Sequence, residues 1–407
     1  MNPDIAIAAA ALALAAPAAL LIAVNLPLFR PVVAAARRNG DADPPAISIL
    51  IPARNEEATI AGSIERALAS TDAAIEVVVA DDGSTDRTAE IVRRFAAQDA
   101  RVRLTKVPPL PAGAIGKLHA CAHLASVAAH PTMLFVDADV RLRPEAAAAL
   151  AGQMRAAGAD LLSGFPRQVT GTFFERLIIP LIEFVLLAYL PLPAMRRSAK
   201  PSFAAGTGQL ILVDAAAYRA AGGHASVAHH IHDGLHLPRR FRQCGYRTDL
   251  CNASQLAECR MYDNARDVWS GFAKNAHEGI GAPKLIGIFT ALLGGGQVLP
   301  AILIAPACLG WLSPIGAALA AAAFALSTGM RLLLALALRQ PAGIALLHPV
   351  AVAAFSRSSG RRSSKRGAVA GRVARSANTP PPLEPHPCAT AAASRRPGRS
   401  GRAASGC

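Results

Sequence analysis

Residues 75–86 read IEVVVADDGSTD, and how this stretch folds decides how the rest of the chain is read. From Ile75 to Ala80 the residues are β-branched and apolar except for Glu76, the signature of a short buried strand, and the run stops on Asp81 and Asp82. Residues 84–95 (STDRTAEIVRRF) follow, with apolar positions at helical spacing behind a Ser/Thr/Asp start suited to an N-cap. Upstream, residues 46–52 (AISILIP) form another apolar run bounded by prolines, and residues 57–68 (EATIAGSIERAL) again show helical spacing. Downstream, Thr132 to Val136 make a further strand that runs into Asp137 and Asp139. The order strand, helix, strand, helix, strand predicts an α/β fold: a mostly parallel sheet covered by helices, with ligands gathering at the carboxyl ends of the strands. All three acidic clusters, at residues 54–57, 81–86 and 137–139, fall at such ends.

Two carboxylates at i and i+2 just past a strand can face one side. They offer hard oxygen ligands to Mg²⁺ or Mn²⁺, ions whose remaining partners are often diphosphate oxygens. Alone, Asp-Ala-Asp reads more readily as a loop cap; beside two other acidic strand ends the balance reverses and it reads as a phosphate-handling site. No GxGxxG or GxxxxGK[ST] is present, which leaves dinucleotide and P-loop readings without support. A strand followed by DxDxV also suits haloacid-dehalogenase-like phosphohydrolases, with the first carboxylate as nucleophile. There the motif opens the domain, whereas here two strand units precede it.

The ordered set PARNEE (52–57), VVVADDGSTD (77–86) and FVDADV (135–140) resembles the nucleotide-sugar domain of inverting family 2 glycosyltransferases of the GT-A fold. The likeness covers about residues 46–281 and implies a nucleotide-sugar donor, UDP-linked for preference, and a divalent metal. Carried over by position, it implies that Asp81 contacts the uracil or ribose, and that Pro52, Arg54 and Glu56 line the nucleotide pocket. Asp139, with Asp137, would serve the metal and diphosphate. Gly116 and Lys117 match a Gly-Lys of the family whose lysine meets phosphate; an exposed surface lysine is the equal alternative.

The resemblance also implies a general base, the Asp of a Glu-Asp pair before a basic helix. Here the matching place is HHIHDGLHLPRRFRQCGYRTDL (229–250), which makes Asp233 the candidate, with His232 where the family commonly has an acid. Histidines 229, 230, 232 and 236 lack the HExxH or Cys spacing of a zinc site and read as solvent-facing or acceptor-lining. Residues 203–208 (FAAGTG) resemble the family's small-residue stretch beside the sugar; a tight turn explains the glycines as well. Residues 258–279 sit where processive relatives carry QxxRW, and no such motif is present. Arg260, Tyr262 and Lys274 are the candidate diphosphate or acceptor contacts instead. That pattern looks like members adding one sugar to carotenoid, hopanoid or similar apolar, lipid-like acceptors.

At 52% hydrophobic and 17% charged, the 407-residue chain is greasy for a soluble protein. Residues 5–28 carry no charge and are long enough to cross a bilayer, and Arg30, Arg37 and Arg38 follow them. This predicts an uncleaved anchor over residues 1–30 in an inner or plasma membrane, multi-pass, with the domain that follows on the cytoplasmic side. Residues 285–312 and 315–338 read as two further spans. Residues 173–192, which hold Glu175, Arg176 and Glu183, read either as an interfacial helix guiding a lipid acceptor or as an amphipathic core helix. Residues 343–355 start another apolar run too short to cross.

From residue 356 onward the sequence is Arg, Ser, Ala, Gly and Pro, with eleven basic residues against Glu384, and a disordered basic tail is expected over residues 356–407. Its composition fits both a polybasic lipid-attracted tail and a shifted reading frame. Most of the formal charge of +15 lies there, and the folded part shows no basic-aromatic interleaving, so nucleic acid is not an expected partner. Seven cysteines without CxxC spacing suggest a reducing compartment and no chemical role. Besides the transferase, a phosphohydrolase and a catalytically silent membrane scaffold remain as competing classes.

Overall fold

The computed structural model describes residues 2–34, 43–275, 286–356 and 388. Its main sheet has seven strands in the order β3-β2-β1-β4-β8-β6-β9. These are β1 (Ala46–Ala53), β2 (Ala74–Asp81), β3 (Val102–Lys106), β4 (Thr132–Val136), β6 (Leu161–Phe165), β8 (Leu210–Asp214) and β9 (Thr248–Asn252). A small sheet, in the order β5-β10-β7, joins β5 (Val140–Leu142), β10 (Ala257–Cys259) and β7 (Arg167–Gln168). Pairing is parallel from β3 through β4; β8 alone runs against both its neighbours, and β6 and β9 are parallel. The expected α/β fold with a mixed, mostly parallel sheet is what forms.

Alternation along the strands explains the layering. Ile47, Ile49 and Ile51 of β1 and Val77 and Val79 of β2 pack with Ile60, Ile64, Ile91 and Val92 of two helices on one face. Leu50, Val78 and Ala80 face the other way, onto Leu118 and Leu124 of the helix Gly116–Val127 and Phe241 of the helix Asp233–Gln243. Both faces being covered, the strands read as continuous apolar runs.

Local details depart from the sequence reading. The first two helices of the sheet domain, Ile60–Leu68 and Thr88–Gln98, start three to four residues later than periodicity suggests. The polar residues before them tie two loops together, although Asp86 Oδ1 also accepts from Thr88 N–H (3.0 Å) at the start of the second helix. Asn55, with φ at 57°, receives the Thr85 N–H on its Oδ1 (2.8 Å) and donates its own N–H to Ser84 Oγ (3.0 Å). Glu57 N–H donates to Asp86 Oδ2 at 3.1 Å.

Three helices among the described residues, Pro3–Leu28, Ile286–Cys308 and Pro314–Ala337, are long and apolar enough to cross a membrane, which suggests membrane association. Asp4 accepts from the N–H (2.7 Å) and hydroxyl (2.6 Å) of Ser313, so the first and third run parallel, with their C-terminal ends toward the sheet. The second passes so close that a Cβ at Gly296 would lie 2.6 Å from the Leu14 carbonyl, small residues permitting backbone approach as in lipid.

The segment 173–192 folds as the short helices Phe173–Ile178 and Leu181–Tyr189. Phe184 and Leu187 are fully buried among residues from the apolar helices, while Phe173 and Phe174 are about half exposed. Most of the segment is therefore core, with only its leading edge open. Asn25, at the end of the first helix, clamps it: its amide donates to the carbonyls of Leu187 (2.8 Å) and Leu190 (2.7 Å) and accepts from Leu192 N–H (3.1 Å).

One expectation is overturned. Cys244 is disulfide-bonded to Cys388, so two of the cysteines are chemically engaged; they lie 144 residues apart, and no local spacing could have announced the pair. The rest of the basic tail after Ser356 lies outside the described residues.

Candidate active site

The sheet reverses its winding between β1 and β4: β2 and β3 extend on one side of β1, and β4 lies on the other. In open α/β sheets ligands bind outside the carboxyl ends of the strands at such a switch point. Asp81 ends β2, residues 54–57 follow β1, and Asp137 follows β4, so the three acidic clusters stand on adjacent strand ends, about 5 Å from strand to strand.

On the β2 side, Asp81 Oδ1 accepts from Ser84 N–H at 2.9 Å, which orients the carboxylate within its own turn. Arg54, largely exposed, lies 3.7 Å from Asp82. Pro52 sits within β1 opposite Ala80. Glu56 is half-buried; its N–H donates to Thr88 Oγ1 (2.8 Å), and its carboxylate accepts from Thr59 Oγ1 (2.5 Å). Burial raises its pKa above the usual value, and the Thr59 bond only partly offsets this. Gly116 is required by space: a Cβ there would come within 2.6 Å of Asp82 Oδ2.

The Asp137–Asp139 turn is locked from beneath. Ser63 Oγ donates to the Ala138 carbonyl at 2.5 Å, and Arg141 reaches both Ser63 Oγ (2.5 Å) and the same carbonyl (3.1 Å). Lys117, on the first turn of its helix, stands 2.7 Å from Asp137 Oδ1, 3.2 Å from Asp233 Oδ2 and 3.2 Å from the Gly208 carbonyl it donates to. One ammonium thus joins the Asp-x-Asp motif to a carboxylate about a hundred residues downstream. Burial pushes Asp137 up to about 7 despite Lys117. At Asp233 burial also raises, but Lys117, His224 and His232 outweigh it and hold the carboxyl below its ordinary value.

Asp233 opens its helix, and its Oδ1 accepts from Gly234 N–H at 2.8 Å. The fit around it is tight. A Cβ on Gly208 would lie 1.9 Å from Asp233 Oδ1, and one on Gly234 would lie 2.7 Å from the Gly206 carbonyl. Ser163 Oγ pins the turn, accepting from Thr207 N–H (2.8 Å) and donating to its carbonyl (3.1 Å). Because β8 runs antiparallel to β4, the stretch just before it, residues 204–209, arrives at the carboxyl end of β4.

Asp139 carries the feature that bears on a metal. Its Oδ1 is buried with no hydrogen-bond partner, and burial raises its pKa against the lowering effect of the Cys259 thiol. A buried oxygen left unpaired suits a divalent ion, which needs few protein ligands when diphosphate and water supply the others. Among the described residues no group of three or more His, Cys, Asp or Glu is arranged to hold a metal without such help.

Cys259 reaches Asp139 because β10 pairs antiparallel with β5, setting Cys259 opposite Val140. Gln209, buried, donates to Cys259 Sγ at 3.0 Å and accepts from Gln168 at 2.9 Å. Immediately after β10, Arg260 lies 3.4 Å from the buried Glu175 of the 173–178 helix. Tyr262 is half-buried, and burial, followed by the charge of Asp139, raises its pKa. Lys274 falls in the helix Ala265–Asn275, but its side chain is outside the described residues. Sequence reading did not single out Ser63, Arg141, Ser163, Gln209 or His224. Only the glycines at 206 and 208 carried a signal, and there a tight turn and a functional approach were indistinguishable.

Residues 48–218 match the profile of glycosyl transferase family 2. The 4,4'-diaponeurosporenoate glycosyltransferase of Staphylococcus aureus strain USA300 is 30% identical over 244 residues, 59% of this chain and 63% of that protein. The protein of that name from strain MRSA252 is 31% identical over the same length. The chain thus aligns with a little under two thirds of the length of these relatives. Among solved structures, a mannosyltransferase from Pyrobaculum calidifontis in complex with GDP-Man and Mn2+ shares the fold at a TM-score of 0.53 and 21% identity. That match covers 87% of this chain and 98% of the other.

Proposed function

Since the chain carries a glycosyltransferase domain of family 2, with the GT-A fold, we propose that it moves a sugar, with inversion, from a nucleoside diphosphate sugar to a hydroxyl of an apolar, lipid-like acceptor in the membrane. The observation that carries this reading is the Lys117 bridge, which brings the Asp233 carboxylate to the Asp-x-Asp motif.

In this mechanism Asp81 and the residues 54–57 bind the nucleotide and the Asp137–Asp139 turn faces its diphosphate. The acceptor oxygen attacks the anomeric carbon from the face opposite the diphosphate, the carbon–oxygen bond to phosphate breaks, and Asp233 takes the acceptor proton. Asp139, with Asp137 beside it, would hold Mg²⁺ or Mn²⁺, which would supply charge neutralisation at the leaving diphosphate. Tyr262 contacts the diphosphate or the acceptor, and Arg260, paired with Glu175, braces that side of the site. A UDP-linked donor follows from the family likeness at Asp81. An apolar acceptor is supported by the exposed Phe173 and Phe174 beside the apolar helices and by the carotenoid-acting name of the relatives. The sheet domain lies at one end of the apolar helices, and Arg30 beyond the first of them favours the cytoplasmic side. A phosphohydrolase finds less support, because the Asp-x-Asp motif follows the fourth strand.

The reading is tested with purified full-length protein in detergent, Mn²⁺ or Mg²⁺, labelled UDP- and GDP-sugars and a total lipid extract. Label should pass to a lipid and stop on chelation. Phosphate release from small phosphoesters, with no sugar transferred, would overturn it.

The close packing at the turn makes a second expectation. Gly208→Ala drives a methyl into Asp233 Oδ1, and a misplacement of about 1 Å costs on the order of 10²-fold in rate. The loss should appear in kcat, with the KM for the sugar donor little changed. An equal fall in donor affinity would place Gly208 in the donor pocket instead.

A further inference from the structure

A cleft at the edge of the main sheet stands apart from the strand-end site. β9 closes the sheet, and Pro31 bridges to its Asn252, so the chain leaving the first apolar helix runs along that edge. Between this segment, residues 195–199 and residues 245–249 lies a cleft of about 1010 Å³. Five arginines line it: Arg30, Arg196, Arg197, Arg242 and Arg247. Arg242 is buried and structural, donating to Thr248 Oγ1 (2.6 Å) and to the carbonyls of Ser198 (2.6 Å), Met195 (2.9 Å) and Thr248 (3.0 Å). Arg196 pairs with Asp249 at 3.1 Å, and Asp249 is the one carboxylate in the lining. Arg30, Arg197 and Arg247 are exposed and form no ion pair among the described residues.

The cleft has an apolar side as well. Pro27 and Leu28, at the end of the first apolar helix, and Val33 beyond it contribute to the wall, with Leu28 41% and Val33 69% exposed. Cationic guanidinium forks next to exposed aliphatic groups, at the end of a helix able to span a bilayer, match a phosphodiester with acyl chains attached. A soluble anion would have no use for Leu28 and Val33.

We propose that this cleft binds the headgroup of an anionic phospholipid from the leaflet facing the sheet domain, its phosphate on Arg30, Arg197 and Arg247. The wall is tied to the membrane part, since Asn25 clamps the chain that leads into the helix Leu192–Arg197. A bound lipid therefore braces the sheet domain against the bilayer surface.

The full chain in neutral detergent is titrated calorimetrically with short-chain phosphatidylglycerol, short-chain phosphatidylcholine and inorganic phosphate. Saturable binding of phosphatidylglycerol is expected, with phosphatidylcholine and inorganic phosphate at least about tenfold weaker. The triple variant Arg30→Gln/Arg197→Gln/Arg247→Gln should weaken phosphatidylglycerol on the order of a hundredfold. Single variants Arg197→Gln and Arg247→Gln, exposed positions that leave the fold alone, should each lose about fivefold. Unchanged affinity in these variants, or phosphatidylcholine binding as well as phosphatidylglycerol, overturns the proposal. Inorganic phosphate binding as tightly as the lipid overturns it too, by making this a site for soluble anions.

Discussion

Asp233→Asn should abolish nearly all sugar transfer, lowering kcat by a factor on the order of 10²–10⁴ while leaving the KM for the sugar donor close to its original value. Asn has the shape of Asp and can keep the bond from Gly234 N–H, so the turn at residues 206–208 need not move. What disappears is the site that receives the acceptor proton. Lys117 loses one partner and retains Asp137 and the Gly208 carbonyl, which is why nucleotide binding should survive. Asp233→Glu is a useful companion, because the added methylene has nowhere to go against Gly208, and it should restore little. Steady-state kinetics with a labelled sugar donor check both variants. Full activity in Asp233→Asn would remove Asp233 as the base; a chain that binds no nucleotide and is indifferent to this change would be a scaffold.

Lys117→Met should produce the second largest effect and the more diagnostic one. Burial drives Asp233 upward, and Lys117 is the foremost of the charges that bring it below the ordinary carboxyl value. Without the ammonium, burial prevails and the carboxyl pKa rises, so the base is protonated at pH values where the wild type is ionised. The acid limb of kcat/KM should move to higher pH, and each unit of movement costs about tenfold in rate on that limb. Asp137, already raised to about 7 by burial, loses the same partner, so the motif becomes a weaker ligand for metal and diphosphate at neutral pH. Lys117→Arg keeps the charge and should hold the limb near its original position. A pH–rate profile that merely drops, with its acid limb unmoved, would mean that Lys117 serves the diphosphate alone and does not set the ionisation of Asp233.

The strands and their acidic ends were legible because the evidence is local: an apolar run with no room for solvent, then carboxylates where the run stops. Helix starts were less legible. Ser84, Thr85 and Asp86 have the chemistry of N-caps, yet in the fold Ser84 and Thr85 serve Asn55 on the neighbouring loop, and Asp86 divides its carboxylate between Glu57 there and Thr88 at the start of its own helix. For residues 173–192, amphipathic periodicity left a core helix and an interfacial one equally open. Packing against the first apolar helix makes most of the segment core, with Phe173 and Phe174 left outside. The Cys244–Cys388 pair was illegible for the same reason in stronger form: nothing near either residue constrains the other.

By itself, then, the sequence determined an α/β domain with carboxylates at the ends of parallel strands, a base candidate at the head of a basic helix, and three stretches apolar and long enough for a bilayer. These follow from short-range periodicity and from charge that cannot be buried alone. Only the tertiary structure decided that Lys117 stands between Asp137 and Asp233, that Asp139 keeps an unpaired buried oxygen, and that five arginines line one cleft at the edge of the sheet. Each of these depends on strand order. β8 enters antiparallel beside β4 and carries residues 204–209 to the carboxyl end, and the segment after the first apolar helix runs along β9 at the far edge. Strand order is set by which faces bury together over separations of a hundred residues or more, and no window of sequence contains that balance.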